Sequence, residues 1–323
     1  MSKPTVLVTR RWPQAVEQKL AARFEVDFNR SDRPLTPNEF RDAIQMYDAV
    51  LPTVTDKIGP DILDVKRART KILANYGVGY SHIDVERAKG RGITVTNTPD
   101  VLSECTADLA MTLMLMVARR TGEGERELRS GSWDGWRPTH LVGTKVSGKR
   151  LGLIGFGRIG REVARRAHFG FGMEILIYNR SVVPSEVLDE FGASQYQTIE
   201  ELLPQCDFVS LHCPGGTGNA RLINGPKLDL MKPGAFLINT ARGEVVDEAA
   251  LAHALMFETI AGAALDVFER EPAINPMLAQ CDNVVMLPHL GSATREARQQ
   301  MGFRVLDNLT DFFDGRQPRD RVA

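Results

Sequence analysis

The segment Gly155–Gly160 reads Gly-Phe-Gly-Arg-Ile-Gly and has the spacing of a phosphate-binding turn. An apolar strand-like run, Leu151–Ile154, precedes it, and a helical pattern over 161–167 follows. In such a unit the first glycine permits a tight turn, the second lets the backbone approach a pyrophosphate, and the third allows close helix–strand packing. The helix N-terminus adds free N–H groups and the positive end of its dipole. The segment predicts a dinucleotide site, and a glycine-rich turn without a ligand is the alternative.

The next predicted strand, Glu174–Tyr178, indicates which dinucleotide to expect. A site for NAD(H) carries Asp or Glu about 20 residues after the glycines, where the carboxylate binds the ribose 2′-hydroxyl. Here the strand ends in Asn179, Arg180 and Ser181, without a carboxylate. A guanidinium and a hydroxyl suit a 2′-phosphate through charge-assisted hydrogen bonds. We therefore expect NADP(H) to be preferred, with NAD(H) as a possible cofactor; the alternative is that Arg180 is a solvated surface residue.

Three polar side chains follow apolar, strand-like runs further along the chain. Arg242 and His289 come directly after such runs, and Glu271 comes a short loop after another. Ligands of open parallel sheets bind beyond the carboxyl ends of the strands, so the three side chains could converge there. Taken singly, each residue has an ordinary alternative: Arg242 could be a surface cation, Glu271 a solvated loop acid and His289 a turn residue.

The elements that would position these residues alternate along the whole chain. Short β-branched runs and amphipathic segments follow one another, which predicts βαβ units and parallel sheets. One predicted helix begins at a capping box formed by Thr36 and Glu39. The other predicted helices are Pro13–Phe24, Cys105–Arg119 and Thr294–Phe313. The stretch Gly122–Gly148 shows no clear periodicity. Strands are predicted at Thr5–Val8, Glu25–Phe28, Ala49–Leu51, Lys71–Ala74, Ile93–Thr96, Arg150–Ile154, Glu174–Tyr178, Phe208–Leu211, Ala235–Asn239, Gly262–Asp266 and Val284–Leu287.

Composition narrows the class of protein. A length of 323 residues favours two domains, and a net charge of −1 provides no field to hold nucleic acid or an anionic membrane. The longest apolar run, Ala110–Ala118, is too short to cross a bilayer, and no signal peptide is expected. The four cysteines, at 105, 206, 213 and 281, lack metal-ligand spacing, so we expect no metal and reduced, mostly buried thiols in a cytoplasmic protein.

Taken together, the motifs carry a resemblance over nearly the whole chain, from about Val6 to Phe313. The sequence resembles the D-isomer-specific 2-hydroxyacid dehydrogenases, and within them the glyoxylate/hydroxypyruvate reductase branch. Besides the glycine turn, the motifs are Asn75–Tyr80 with His82–Asp84, Asn97–Pro99, Thr106–Ala110, Leu211–Pro214, Asn239–Gly243, Leu265–Pro272 and Pro288–Ser292.

The resemblance implies roles for the three polar residues. The matching arginine, Arg242, would bind the substrate carboxylate and carbonyl; His289 would be the acid/base; and Glu271 would pair with His289. The chemistry agrees, because a hydride reaching a keto carbon leaves an alkoxide that an imidazolium can protonate. A guanidinium can hold the carboxylate in two hydrogen bonds and polarise the adjacent carbonyl.

The resemblance also implies the remaining binding residues. Backbone N–H groups of Val78 and Gly79 would hold the substrate carboxylate, with Val54 nearby. The segment Gly215–Gly218 departs from the family pattern, so a threonine contact to the cofactor is not expected there. With Asn179, Arg180 and Ser181, the predicted cofactor residues are Thr106, Gly155, Gly157, Arg158, Ile159, Gly160, Cys213, Pro214, Thr240, Ala241, Asp266 and Gly291.

Two Rossmann-like domains are implied: a flavodoxin-like substrate domain, 1–97 with 291–323, and a dinucleotide-binding domain, 98–290. Substrate would bind in the cleft, whose closure would exclude water. The tryptophan-containing segment Trp133–Leu141 would lie at a homodimer interface. His140 stands where the reductase branch has an aromatic residue that reaches the neighbouring active site.

The implied reaction is reduction of a small 2-keto acid, glyoxylate or hydroxypyruvate favoured, to the D-2-hydroxy acid. Phosphite or another small acid is an alternative substrate, since phosphite oxidation on this scaffold uses a similar set of three residues. A corepressor-like protein that senses NAD(H) without catalysis is a further alternative, because fold alone does not determine function.

Overall fold

The computed structural model describes residues 3–323 and divides into two compact units. One unit comprises the residues up to Leu102 together with Ala293–Ala323, and the other comprises Ser103–Ser292. The breaks lie two to five residues from those predicted, at 97/98 and 290/291. Each unit contains its own parallel sheet, which confirms the predicted α/β class.

Twelve strands and twelve α-helices make up the two units over the described residues. The strands are β1 Thr5–Val8, β2 Glu25–Phe28, β3 Ala49–Leu51, β4 Ile72–Ala74, β5 Thr94–Thr96, β6 Arg150–Ile154, β7 Glu174–Tyr178, β8 Ser194–Tyr196, β9 Phe208–Leu211, β10 Phe236–Asn239, β11 Gly262–Leu265 and β12 Val284–Met286. The α-helices are α1 Gln14–Arg23, α2 Pro37–Met46, α3 Pro60–Leu63, α4 Val85–Gly90, α5 Ser103–Ala118, α6 Thr121–Ser130, α7 Arg158–Arg165, α8 Ser185–Asp189, α9 Ile199–Leu202, α10 Gly225–Leu228, α11 Glu248–Met256 and α12 Arg295–Phe313.

The first unit contains a five-stranded sheet in the order β2-β1-β3-β4-β5, with every pair parallel. This is the flavodoxin-like order, whose switch point lies between β1 and β3. Strands β3 and β4 are buried along their whole length, as expected where helices cover both faces. The predicted capping box starts α2: Thr36 Oγ1 accepts from the Glu39 N–H, and the Thr36 N–H donates to the Glu39 carboxylate.

The C-terminal part of the chain completes this unit. Helix α12 lies so close to α1 that a Cβ added at Gly302 would stand 2.6 Å from Val16. Beyond α12, the Val322 N–H donates to the Val95 carbonyl over 2.8 Å, which binds the last residues to β5. Asp320 is 8% exposed and accepts from the Arg304 guanidinium and the Asn308 amide.

The second unit contains a seven-stranded sheet in the order β12-β11-β10-β9-β6-β7-β8, again parallel throughout. Within this unit the order reverses between β6 and β9, which is the Rossmann arrangement with its ligand crevice at that point. Strands β9, β10 and β11 are buried along their whole length and separate two apolar clusters.

Three expectations from the sequence need correction. The stretch without periodicity contains α6, a polar helix that buries no residue and carries the Arg120–Glu123 and Arg129–Glu125 ion pairs. Strand β8 was not predicted, because three residues at a sheet edge carry little pattern. The cysteines are reduced thiols, as expected, but only Cys206 is buried.

No helix within residues 3–323 combines the length and apolarity required to cross a membrane.

Candidate active site

The turn after β6 needs two of its glycines for packing within the protein. Gly155 adopts a φ of 96°, and a Cβ there would lie 2.7 Å from the backbone of His212 and Cys213 after β9. A Cβ at Gly160 would overlap the Gly155 carbonyl. Both residues therefore keep α7 and the β9 loop tight against the end of β6, as the fingerprint predicts.

Gly157 is different, because the protein itself does not require a glycine there. Its φ of −77° suits any residue, and a Cβ would meet no atom within 4 Å. It is the N-cap of α7, with no capping side chain and no acidic residue in the first turn. The open space faces a helix N-terminus whose first N–H groups lack intrahelical acceptors. This arrangement fits a pyrophosphate, which would explain the glycine.

At the end of β7, Asn179 and Ser181 form hydrogen bonds within the turn, whereas the Arg180 side chain is available to a ligand. The Asn179 side chain accepts from the Phe156 N–H over 3.2 Å and donates to the Ser181 carbonyl and hydroxyl over 3.0 Å. Arg180 is exposed, and among residues 3–323 it makes no side-chain hydrogen bond or ion pair. Its charge is near Cys213, since it opposes the rise that burial causes in the pKa of that thiol, to about 11.

The ends of β9 and β10 carry the next predicted cofactor residues, Cys213, Pro214, Thr240 and Ala241. Thr240 is 7% exposed, and its buried hydroxyl has no partner among the described residues. A buried hydroxyl without a partner is costly, so a ligand polar group would satisfy it. The Ala241 N–H donates to the side chain of Asn239, which fixes the backbone leading to the catalytic candidate at 242.

The Arg242 side chain lies among carboxylates. Burial lowers the pKa of its guanidinium, and the charges of Glu271 and Glu244 oppose that shift. Its Nη1 donates to the Ala241 carbonyl over 2.7 Å. A Cβ at Gly243 would overlap the Phe268 carbonyl, so glycine lets the loop that carries Glu271 pass directly against this turn.

Glu271 and His289 form the predicted pair. His289 Nδ1 lies 2.8 Å from Glu271 Oε2, and Glu271 Oε1 accepts from the Phe268 N–H over 3.0 Å. Burial alone would raise the pKa of the Glu271 carboxyl, but the hydrogen bond and charge of His289, with Arg242, lower it below its usual range. A carboxylate on Nδ1 orients the ring and leaves Nε2 for proton transfer. The structure thus brings Arg242, Glu271 and His289 together.

The backbone at His289 is strained and held in place by Asp266. His289 has a φ of 56°, an unusual value for a residue with a side chain. Its N–H donates to the Asp266 carbonyl over 2.9 Å, and the two oxygens of the Asp266 carboxylate accept from the Leu290 and Gly291 N–H groups over 2.6 and 2.8 Å. Thr106 Oγ1 donates to the Gly291 carbonyl over 3.1 Å, so two predicted cofactor residues also fix this turn.

The predicted carboxylate-binding loop lies after β4 in the first unit. Asn75 is fully buried and donates to the Gly77 and Gly79 carbonyls, both over 3.0 Å, while Asn97 donates to the Val78 carbonyl over 2.8 Å. Three consecutive carbonyls are therefore occupied. Within residues 3–323 the Val78 and Gly79 N–H groups have no acceptor, so they are available to an anion.

Val54, the third predicted substrate residue, packs beside the same loop. A Cβ at Gly77 would stand 3.2 Å from Val54 Cγ1, so glycine at 77 leaves room for this side chain. Asn75 itself is oriented by His82, whose Nε2 lies 3.0 Å from Asn75 Oδ1. Sequence reasoning missed the roles of Asn75 and Asn97, although both lie in motifs that the resemblance identified.

The segment expected at a dimer interface is exposed in this chain. Trp133 and Trp136 are 50% and 81% exposed. His140 Nε2 lies 2.7 Å from the Glu127 carboxylate of α6, so this histidine is tied to its own chain. Among residues 3–323, no group of three or more His, Cys, Asp or Glu side chains is arranged to hold a metal ion.

Comparison with known proteins identifies the family of this chain. Residues 111–291 match the sequence profile of the D-isomer specific 2-hydroxyacid dehydrogenase, NAD binding domain. The glyoxylate reductase of Thermococcus litoralis is 44% identical over 324 residues, which cover 99% of this chain and 97% of that protein. A similar reductase from Pyrococcus furiosus is 44% identical and covers 98% of this chain and 94% of its own.

Two solved structures show the same arrangement of elements. A protein from Thermus thermophilus matches with a TM-score of 0.90 and 40% identity, covering 99% of this chain and 100% of that one. The NADPH-dependent glyoxylate/hydroxypyruvate reductase of Sinorhizobium meliloti, solved with NADP and malonate, matches with a TM-score of 0.87 and 35% identity, covering 100% and 97%. This chain belongs to the D-isomer-specific 2-hydroxyacid dehydrogenase family.

Proposed function

We propose that this protein reduces glyoxylate or hydroxypyruvate to the D-2-hydroxy acid with NADPH. The observation that carries the proposal is the His289–Glu271 pair, 2.8 Å apart, beside Arg242 in the sheet that carries the dinucleotide turn. Close relatives named glyoxylate reductases support the choice of substrate.

The residues of this chain would each perform one task in the reaction. The bound nicotinamide supplies the hydride that reaches the keto carbon. Arg242 holds the substrate carboxylate and polarises the carbonyl, which stabilises the charge that develops on its oxygen. His289 Nε2 donates the proton that converts this oxygen to the hydroxyl, and the Glu271 carboxylate orients the imidazole through its 2.8 Å contact with Nδ1. The Val78 and Gly79 N–H groups are the proposed further donors to the substrate carboxylate, with Val54 beside them.

The preference for NADPH rests on Arg180. It is exposed and without a protein partner among the described residues, whereas Asn179 and Ser181 are engaged in the turn. A guanidinium pairs well with a phosphate dianion, and no carboxylate at this strand end would repel one. The S. meliloti relative, which is NADPH-dependent, supports the assignment. The cofactor residues proposed from the sequence, from Thr106 to Gly291, remain part of this proposal.

We also propose a cytoplasmic homodimer in which the five-stranded unit binds substrate and the seven-stranded unit binds the cofactor. Four reduced thiols are consistent with a reducing compartment. Exposed tryptophans such as Trp133 and Trp136 are typical of interface anchors. Analytical ultracentrifugation of the purified protein would give the oligomeric state, and a monomer at micromolar concentration would contradict the dimer.

The test of the function is kcat/KM for a panel of 2-keto acids, each measured with NADPH and with NADH. We expect the highest values for glyoxylate or hydroxypyruvate with NADPH. Equal or better values with NADH would refute the cofactor preference alone. Absence of turnover with every 2-keto acid, together with tight NADPH binding or with phosphite-dependent reduction of NADP, would refute the proposed reaction.

A further inference from the structure

The loop after β9 depends on two adjacent glycines, Gly215 and Gly216, in the segment that departs from the family pattern. Gly216 adopts a φ of 98°, which side chains rarely tolerate. A Cβ at Gly215 would overlap the Glu244 carboxylate and stand 2.9 Å from Arg242 Cγ. The backbone of this loop therefore lies directly against the aliphatic part of the Arg242 side chain.

Glu244 connects the loop to the turn that carries Arg242. Its Oε1 accepts from the Gly216 N–H over 2.6 Å, and its carbonyl accepts from the Arg221 N–H over 2.7 Å. The side chain and the backbone of this one residue are thus both fixed, two positions after Arg242. A carboxylate that accepts a backbone N–H makes a stronger link than a neutral acceptor does.

A negative charge so close to a residue that binds an anion requires an explanation. Glu271 has its own partner in His289, whereas Glu244 is engaged by the Gly216 N–H alone among its described side-chain contacts. Left unengaged, a carboxylate here would compete with the substrate carboxylate for Arg242. Held by Gly216, it fixes one wall of the space that the Arg242 stem occupies.

We propose that Glu244 is a positioning residue for Arg242: its bond to Gly216 holds the Gly215 backbone against the arginine stem and so aims the guanidinium at the substrate carboxylate. This inference rests on the proposed function, since it concerns binding of a 2-keto acid by Arg242. It predicts that Glu244 affects KM for the keto acid far more than kcat, and only while Arg242 is present.

The first test compares two substitutions of Glu244 in the full-length protein. Glu244→Ala removes the acceptor and should raise KM for glyoxylate about tenfold, with kcat changed less than about twofold. Glu244→Gln retains an oxygen that can accept from Gly216 and should keep KM within about twofold of wild type. Gly215→Ala, whose methyl group would displace Glu244 or Arg242, should resemble Glu244→Ala.

The second test is a double-mutant cycle on kcat/KM with Arg242→Ala. If Glu244 acts through Arg242, Glu244→Ala should change kcat/KM less than about twofold in the Arg242→Ala background. The matched control is Asn219→Ala, which removes the other side-chain brace of this loop, a 2.8 Å bond to the Pro214 carbonyl. The control should alter KM for glyoxylate less than about twofold and should combine additively with Arg242→Ala.

The possible failures are distinguishable. If Glu244→Ala lowers kcat/KM equally in both backgrounds, or if Asn219→Ala gives the same rise in KM, the inference is overturned while the proposed function stands. If Glu244→Gln is as impaired as Glu244→Ala, the hydrogen bond is not the cause and the inference also fails. If Arg242→Ala itself reduces glyoxylate as well as wild type, the proposed function fails first.

Discussion

The two units offer an anion different chemistry at the carboxyl edges of their sheets. In the five-stranded unit, the available groups are the Val78 and Gly79 N–H groups, framed by the neutral amides of Asn75 and Asn97. In the seven-stranded unit they are charged or titratable side chains, with His289 bound to its partner carboxylate over 2.8 Å.

This difference matches two requirements of the proposed reaction. Backbone N–H groups keep their partial charge at every pH, so a loop framed by amides can bind a carboxylate without any change of protonation. Proton transfer instead needs a side chain that can release a proton, and the orientation of that side chain depends on the partner that it bonds. Anion binding by the first unit should therefore not depend on pH. The activity that the second unit supports should instead be lost when one of its charged or titratable side chains is replaced.

The largest effect should come from removing the proposed proton donor, His289. His289→Ala should lower kcat/KM for glyoxylate about a thousandfold, because general acid catalysis contributes factors of this size. The measurement is initial rate with saturating NADPH, with His253→Ala as the control, since His253 lies exposed on α11. If kcat/KM of His289→Ala were within tenfold of the wild-type value, His289 would not be the proton donor and the proposed difference between the two units would fail.

A smaller effect is expected at the end of β7. Arg180→Ala should raise KM for NADPH by about tenfold or more and leave KM for NADH unchanged, since only NADPH carries the 2′-phosphate. Arg221→Ala is a suitable control, because it removes a cation from the same unit whose partners are Glu269 and Asp247. Parallel losses with both cofactors would indicate that Arg180 supports the turn instead of recognising phosphate.

The amide frame of the first unit should matter less and should not depend on pH. Asn97→Ala leaves the Val78 carbonyl without its amide donor and should raise KM for glyoxylate about fivefold to tenfold. The ratio of mutant to wild-type KM should stay constant from pH 6 to pH 8. Asn29→Ala, which removes another amide bridge in the same unit, is the matched control. A ratio that varies with pH would remove the proposed distinction between the units.

The smallest effect concerns stability at acid pH. Because the folded pKa of Glu271 is lowered, its pair with His289 stabilises the protein above the ordinary value of 4.5 and loses this contribution as pH falls through the lowered pKa. The pair is partly exposed, so we expect about 1 kcal/mol or less. The difference in unfolding free energy between wild type and Glu271→Gln, measured by urea unfolding, should be largest near pH 5 and should vanish toward pH 3. A difference that grows on acidification would contradict the assigned sign.

Local patterns sufficed for most of the fold. Every predicted strand is present, five of them one residue shorter, because buried parallel strands are apolar runs between turn residues. Helix α6 was not predicted, because it has no apolar stripe and contains Gly122 and Gly124. The feature that could have indicated it is the spacing of three or four residues between oppositely charged residues. Side-chain charges can support a helix that no core requires.

The candidate site was predictable only as far as residue types reveal chemistry. Arg242, Glu271 and His289 stand out because charged groups follow apolar strands. The amide frame did not stand out, because Asn75 bonds carbonyls of its own loop and Asn97 bonds a carbonyl 19 residues earlier, and neither kind of bond leaves a periodic pattern in the sequence. The brace at Glu244 depends likewise on a loop 28 residues earlier in the chain.

Helix α12 also has a consequence for the order of biosynthesis. The strands of the five-stranded unit leave the ribosome first, yet the helix that packs on α1 and the residues that bind β5 are translated only after the whole of Ser103–Ser292. Since domains fold as units during synthesis, the seven-stranded unit can fold on the ribosome before the five-stranded unit has received helix α12. Until α12 is synthesised, apolar residues that it covers, such as Val16, remain accessible to chaperones. The five-stranded unit is therefore the first to be synthesised and the last to complete its folding.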